Sequence, residues 1–198
     1  IVAVVVVATP FALGGLLAQY QANAKFALRN EAPAKSDLAR FARASLTRLE
    51  TPAATPMAPD YVFKTRDGAD TTFAQFRGRV VVVNLWAMWC APCRTEMPTL
   101  ARLDEAYPDD QLVVLPINVD ATADGLADAR SFIDVHEPLP LYSDMKFQLP
   151  FELPGEGKMP QTVILDRKGR IRASFSGEAD WASPEARALI DALLAEPA

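Results

Sequence analysis

The stretch Trp86-Ala87-Met88-Trp89-Cys90-Ala91-Pro92-Cys93 contains both cysteines of the 198-residue chain. Two cysteines separated by two residues can interconvert between a dithiol and a local disulfide. An apolar run precedes the stretch at residues 80–85, and an amphipathic segment follows it at residues 92–107. These patterns predict a buried strand, a turn and a helix that has Cys90 at its N-terminus. Unpaired backbone N–H groups there favour the Cys90 thiolate, and Cys93 can resolve the mixed disulfide that Cys90 forms.

A structural or metal-binding role explains the cysteine pair less well. A disulfide that closes so short a loop removes little entropy from the unfolded chain. A zinc site needs three or four ligands, whereas the sequence has one histidine, His136, and no second cysteine pair. Covalent haem attachment needs a histidine directly after the second cysteine, where this sequence has Arg94. We therefore predict a redox-active pair with no bound metal or cofactor.

Charge is distributed unevenly along the chain. Residues 25–50 carry a net charge of +3 and residues 51–198 carry −8, within a formal total of −5. The acidic balance of the larger part argues against nucleic-acid binding. The basic segment is suited to a position near anionic lipid.

The first 24 residues contain no charged side chain and are mostly apolar. Their length is about that needed to span a bilayer. Ala22-Asn23-Ala24 also resembles the cleavage site of a signal peptide. Both an uncleaved anchor, which we favour, and a cleaved signal segment are consistent with residues 1–24.

Residues 25–59 predict a stem and a linker. Apolar residues recur at helical spacing between Ser36 and Glu50, which indicates a short amphipathic helix that packs on the domain or on lipid. The Pro/Ala-rich stretch at residues 51–59 is typical of an extended spacer. We therefore place the start of the catalytic domain at Asp60 and its end at Ala198.

The pattern from residue 60 onward indicates an α/β domain. Strand, helix, strand and helix follow one another between residues 79 and 135, which implies a parallel core. The strands at residues 161–165 and 170–175 are joined by a tight turn and predict an antiparallel hairpin. A last helix, at residues 184–195, closes the domain. The expected fold is a mixed sheet flanked by helices on both faces.

Several of these segments carry a family resemblance. The Trp-Cys-Ala-Pro-Cys turn after a Val-rich strand, Met159-Pro160 before a strand, and the segment at residues 177–181 are similar to the thioredoxin fold. Asn84-Leu85-Trp86-Ala87, Glu96-Met97-Pro98 and residues 179–183 more closely resemble TlpA-like membrane-anchored thiol-disulfide oxidoreductases, which are relatives of the ResA and CcmG reductases. The resemblance runs from about Asp60 to the C-terminus and is highly specific around the cysteines.

The resemblance implies roles for residues beyond the cysteines. Pro160 matches the cis-proline that faces the disulfide in this family and exposes the backbone of Met159 to a substrate strand; the alternative is a trans-proline at a strand start. Glu96 matches the active-site glutamate, which helps to move the proton of the buried thiol; the alternative is a glutamate that only complements the helix dipole. Together with Trp89 and Pro92, Met159 and Pro160 form the expected substrate-binding surface.

The chain also departs from thioredoxin. Six residues before Cys90, where thioredoxins carry a buried Asp, this sequence has Asn84. An Asn side chain cannot accept a proton, so proton handling is expected to shift to Glu96 or to water.

These features predict an exported thiol-disulfide oxidoreductase in which Cys90 attacks, Cys93 resolves and Glu96 assists. The resemblance implies a single-pass anchor in the inner membrane with the catalytic domain in the periplasm, and an upstream membrane thiol reductant. It also implies protein disulfide substrates such as copper-delivery proteins, cytochrome oxidase subunits or apocytochrome c. A Sco-like copper-binding chaperone is the alternative, although such proteins pair a C-x-x-x-C motif with a distal histidine.

Overall fold

The computed structural model describes residues 36–197. The expected anchor at residues 1–24 and the first part of the stem lie outside these residues. All described residues belong to one compact unit. No helix within them is long and apolar enough to cross a membrane.

A seven-stranded mixed sheet forms the central layer, in the order β2-β1-β5-β4-β3-β6-β7. The strands are β1 (Phe63–Thr65), β2 (Asp70–Thr71), β3 (Val80–Trp86), β4 (Leu112–Asn118), β5 (Tyr142–Ser143), β6 (Gln161–Leu165) and β7 (Ile171–Ser176). β3 pairs in parallel with β4 and antiparallel with β6, and β6 pairs antiparallel with β7. The predicted parallel core and the predicted hairpin are both confirmed.

Helices cover both faces of this sheet. They are α1 (Ala91–Asp104), α2 (Ala123–Ile133), α3 (Leu149–Glu152) and α4 (Pro184–Leu194). Side chains alternate between the two faces of β3, so Val82 and Trp86 pack with α1, α2 and α4, whereas Val83 and Leu85 pack with α3. All seven residues of β3 are buried, as expected for a strand covered on both faces.

The prediction of a single amphipathic helix over residues 36–50 is wrong. Two 3-10 turns, Asp37–Phe41 and Ala44–Leu46, replace it. The backbone of Arg43 is extended, and Ala44 adopts a φ of +47°, so a continuous helix cannot form between the turns. The apolar side chains of the stretch are nevertheless buried in the same cluster as α4: Leu38, Phe41, Leu46 and Leu49.

The Pro/Ala-rich stretch at residues 51–59 also contacts the sheet. The backbone N–H of Ala58 donates to the Gly169 carbonyl at 2.9 Å, and the N–H of Ile171 donates to the Pro56 carbonyl at 2.8 Å. Just before this stretch, Glu50 and Ser174 of β7 exchange two hydrogen bonds of 2.9 Å. The compact unit therefore includes the described residues ahead of position 60.

Candidate active site

The turn between β3 and α1 carries the two cysteines, which are joined by a disulfide with a Cα–Cα distance of 5.3 Å. Cys90 is the N-cap residue of α1, and its Sγ accepts a hydrogen bond from the backbone N–H of Cys93 at 3.3 Å. The same N–H is placed to stabilise a Cys90 thiolate after reduction. Cys90 is 5% exposed and Cys93 is fully buried. Of the two cysteines, only Cys90 has any surface exposed to solvent.

Asp120, a buried residue that follows β4, holds this turn in place. Its Oδ2 accepts hydrogen bonds of 2.8 Å from the Met88 backbone N–H and from the Asn118 side-chain amide. The Cys90 N–H donates to the Ala87 carbonyl at 3.1 Å. The sequence pattern does not single out Asp120. The available signal is its position just after a strand parallel to β3, because the carboxyl ends of parallel strands meet at one edge of a sheet.

Glu96 lies on α1 one turn after Cys93, and its side chain is 1% exposed. Its Oε1 accepts a 2.8 Å hydrogen bond from the Asn84 side-chain amide. Its Oε2 accepts 3.2 Å hydrogen bonds from the Trp181 indole N–H and the Ala179 backbone N–H. Three hydrogen-bond donors from two distant parts of the chain therefore converge on one carboxyl group.

Burial raises the pKa of Glu96 to about 7, although its three hydrogen-bond donors act in the opposite direction. Burial disfavours the carboxylate because the charge loses its hydration, whereas the donors favour it. Near neutral pH the group therefore exists in both protonation states. A carboxyl with such a pKa is suited to accept and return a proton at that pH. Its action on the Cys93 thiol remains a prediction.

The raised pKa of Glu96 should also make folding stability depend on pH. The folded chain holds an extra proton between pH 4.5, the ordinary pKa of the group, and about 7, so stability falls as pH rises through this range. The full effect is about 3 kcal/mol, and Glu96→Gln should remove it. In urea denaturation, the wild type should lose this amount of unfolding free energy between pH 4 and pH 8. The variant should not show this loss, so its stability relative to the wild type should be higher at pH 8 than at pH 4. Glu105→Gln, an exposed change next to α1, is the control, and an equal difference at both pH values would contradict the assignment.

The expected substrate-binding residues differ in exposure. Trp89 is 61% exposed, Pro92 is also exposed, Met159 is half-buried and Pro160 is buried. The Met159–Pro160 peptide bond is cis, as the resemblance implies. The Pro160 carbonyl accepts a hydrogen bond from the backbone N–H of Gly177 at 2.8 Å, which ties this loop to the end of β7. The role of these residues in substrate binding remains a prediction.

No group of three or more His, Cys, Asp or Glu side chains is placed to hold a metal ion within residues 36–197. His136 follows the end of α2. Its Nδ1 lies 2.8 Å from the Phe132 carbonyl oxygen, and its ring stacks 4.5 Å from that of Phe132. The histidine therefore caps the end of a helix.

Comparison with known proteins places the chain among thioredoxin-like proteins. The model of the AhpC/TSA family matches residues 55–174. The thioredoxin-like protein YneN of Bacillus subtilis (strain 168) is 33% identical over 117 residues, which cover 58% of this chain and 66% of YneN. The thiol-disulfide oxidoreductase ResA of Geobacillus thermodenitrificans (strain NG80-2) is 27% identical over 121 residues, which cover 61% of this chain and 67% of ResA. The chain thus spans about two thirds of the length of these relatives.

Solved structures share the fold. A Chlorobium tepidum protein provisionally assigned as the thiol:disulfide interchange protein DsbE superposes with a TM-score of 0.62 at 27% identity, over 71% of this chain and 96% of that one. A DsbF homologue from Corynebacterium diphtheriae superposes with a TM-score of 0.58 at 25% identity, over 69% and 85% of the two chains. Because the family match covers more than half of the sequence, and because proteins named as thiol-disulfide oxidoreductases share its fold, this chain belongs to the AhpC/TSA family as a thioredoxin-like member whose fold supports thiol-disulfide oxidoreductase activity.

Proposed function

We propose that the protein reduces disulfides in partner proteins. The Cys90 thiolate attacks one sulfur of the partner disulfide, and the other partner sulfur leaves as a thiolate. The Cys93 thiolate then attacks Cys90 Sγ, which releases the second partner sulfur and forms the Cys90–Cys93 disulfide. Two electrons pass to the partner, and its two thiolates take up two protons. An external dithiol reductant restores the reduced pair.

The observation that carries this proposal is the asymmetry of the two cysteines. Cys90 is reachable and lies at the start of α1, where a thiolate is stabilised. Cys93 is fully buried, and Glu96 lies one turn further along the same helix. The resolving thiol must lose its proton inside the protein, and a buried carboxyl that is half-ionised near pH 7 is suited to receive it.

The cellular setting of the proposal is the periplasmic face of the inner membrane, with residues 1–24 as a single-pass anchor. Its substrates are proteins whose cysteines must be reduced before metal or haem is inserted: copper-delivery proteins, cytochrome oxidase subunits or apocytochrome c. A membrane thiol reductant supplies the electrons. The sequence resemblance to TlpA-like proteins supports this setting, as does similarity to proteins named ResA and DsbE.

Gene deletion in the native host tests the setting. Loss of the protein should lower covalently bound haem in c-type cytochromes or copper-dependent oxidase activity, and the quantity that falls identifies the substrate class. Wild-type protein should restore it, whereas Cys90→Ser should not, because that variant lacks the attacking sulfur. In spheroplasts, added protease should degrade the domain. Restoration by Cys90→Ser, or protection of the domain until the membrane is lysed, would contradict the proposal.

A further inference from the structure

Three aromatic side chains form a ridge that starts beside the disulfide. The ring of Trp89, which directly precedes Cys90, lies 6.2 Å from the ring of Phe147, and Phe147 lies 5.8 Å from Phe151. Trp89 is 61% exposed and Phe151 is 65% exposed, and no other aromatic side chain in residues 36–197 is exposed. We refer to Trp89, Phe147 and Phe151 as the aromatic ridge. Adjacent exposed aromatic rings are typical of surfaces that bind other molecules.

The loop that carries the ridge is held by a buried carboxylate. Asp144 is 4% exposed and accepts hydrogen bonds of 2.9–3.1 Å from three backbone N–H groups, those of Lys146, Gln148 and Leu149. Within this loop, Phe147 has a φ of +53°, in the left-handed region that is unfavourable for an aromatic residue. Such a conformation persists only when its surroundings enforce it. The Asp144 hydrogen bonds supply that enforcement and hold Phe147 between the other two rings.

Gly157 supports the far end of the ridge. A Cβ atom added at this position would lie 2.7 Å from Cε1 of Phe151, which is shorter than any normal contact. The absence of a side chain at Gly157 therefore makes room for the Phe151 ring.

We infer that the aromatic ridge binds an extended segment of the substrate protein that carries apolar side chains at alternate positions next to the reacting cysteine; this inference rests on the proposed function. Trp89 directly precedes Cys90 and is exposed, so the residues that flank a substrate sulfur at Cys90 can lie across its ring. In an extended segment, alternate side chains share one face at a spacing of about 6.6 Å. The ring spacings of 6.2 and 5.8 Å are close to that repeat. The ridge therefore gives the protein a preference for substrates with apolar residues beside the reacting cysteine. The disulfide alone would not produce this preference.

Two synthetic peptides with an internal disulfide provide the test. They differ only at the two alternate positions beside the first cysteine, which are Leu in one peptide and Ser in the other. The full chain, reduced beforehand and freed of reductant, is mixed with each peptide and with oxidised glutathione, and the second-order rate constants are measured. We expect the wild type to prefer the Leu peptide about tenfold. Phe147→Ser/Phe151→Ser should bring the ratio of the two peptide rates close to one.

Val135→Ser is the matched control, because Val135 is 77% exposed and lies outside the ridge; it should keep the wild-type ratio. Phe151→Ser alone changes only an exposed position, and it should lower the ratio even if the double variant does not fold. Equal rates for the two peptides with wild type, or an unchanged ratio in Phe151→Ser, would overturn the inference. The inference would also be overturned if the wild type showed no peptide preference but formed a dimer that Phe151→Ser dissociates. The ridge would then bind a second copy of the chain. If the wild type reacted with neither peptide and not with oxidised glutathione, the proposed function itself would be overturned.

Discussion

Replacing Cys93 with Ser should stop turnover and leave substrate proteins covalently attached to Cys90. The serine hydroxyl is close to the thiol in size but cannot displace sulfur, so the mixed disulfide loses its only internal route of resolution. Because Cys93 is fully buried, no external thiol can take over its position. Expressed with its N-terminal segment in the native host, the variant should give complexes that dissolve on addition of a reductant. Mass spectrometry of the trapped chains would identify the substrates.

The double variant Cys90→Ser/Cys93→Ser is the matched control and should trap nothing. If Cys90→Ser traps partners and Cys93→Ser does not, the attacking and resolving roles are reversed. That outcome would also conflict with the exposure of the two cysteines, since the fully buried one would have to reach the partner.

Glu96→Gln should slow resolution of the mixed disulfide about a hundredfold at pH 8, which is the smaller end of the range for general acid–base catalysis. In the wild type, the rate should rise with pH as Glu96 loses its proton near pH 7, because only the carboxylate can accept the Cys93 proton. The variant should lack this step. Gln fits the site because Asn84 Oδ1 is buried without a hydrogen-bond partner and, after rotation of the Asn84 amide, can accept from the new side-chain N–H₂.

Stopped-flow measurement of the rate from pH 5 to 9 checks this expectation. Glu105→Gln, an exposed change of the same type at the end of α1, should keep the wild-type profile. If Glu96→Gln retains the step near pH 7, Glu96 does not move the proton, and its role is limited to the hydrogen bonds that join α1 to Trp181.

The central part of the fold could be predicted from sequence because one physical signal dominates each element. β3 is apolar at every position except Asn84, a pattern typical of a strand covered on both faces. The start of α1 follows from Cys90, and the β6–β7 hairpin follows from the turn residues between its strands.

The region before the sheet could not be predicted as well, since apolar spacing reports burial rather than hydrogen-bond pattern. Leu38, Phe41, Leu46 and Leu49 are all buried, yet they lie on 3-10 turns and connecting segments. Their burial against α4 depends on tertiary contacts, which override local helix preference. The start of α2 is hard to predict for a related reason: Thr122 caps the helix by accepting from the Gly125 N–H, ahead of Leu126, its first large apolar residue.

The hydrogen-bond partners of Glu96 could not be predicted from local sequence patterns either. Its partners lie 12 residues earlier, at Asn84, and 85 residues later, at Trp181. No spacing rule connects such distant positions, and the segment that includes Trp181 draws attention only through a family resemblance. Thr162, which lies 2.9 Å from the Asn84 amide, carried no sequence signal at all.

The most direct test of the account is the stoichiometry of a single turnover. The reduced protein, freed of reductant, is mixed with a disulfide-bonded protein such as insulin, and both proteins are analysed by thiol labelling and mass spectrometry. The account predicts that one Cys90–Cys93 disulfide forms for each substrate disulfide reduced, and that Cys90→Ser/Cys93→Ser leaves the substrate unchanged. Substrate reduction by the double variant, or intact insulin after incubation with the reduced wild type, would contradict it.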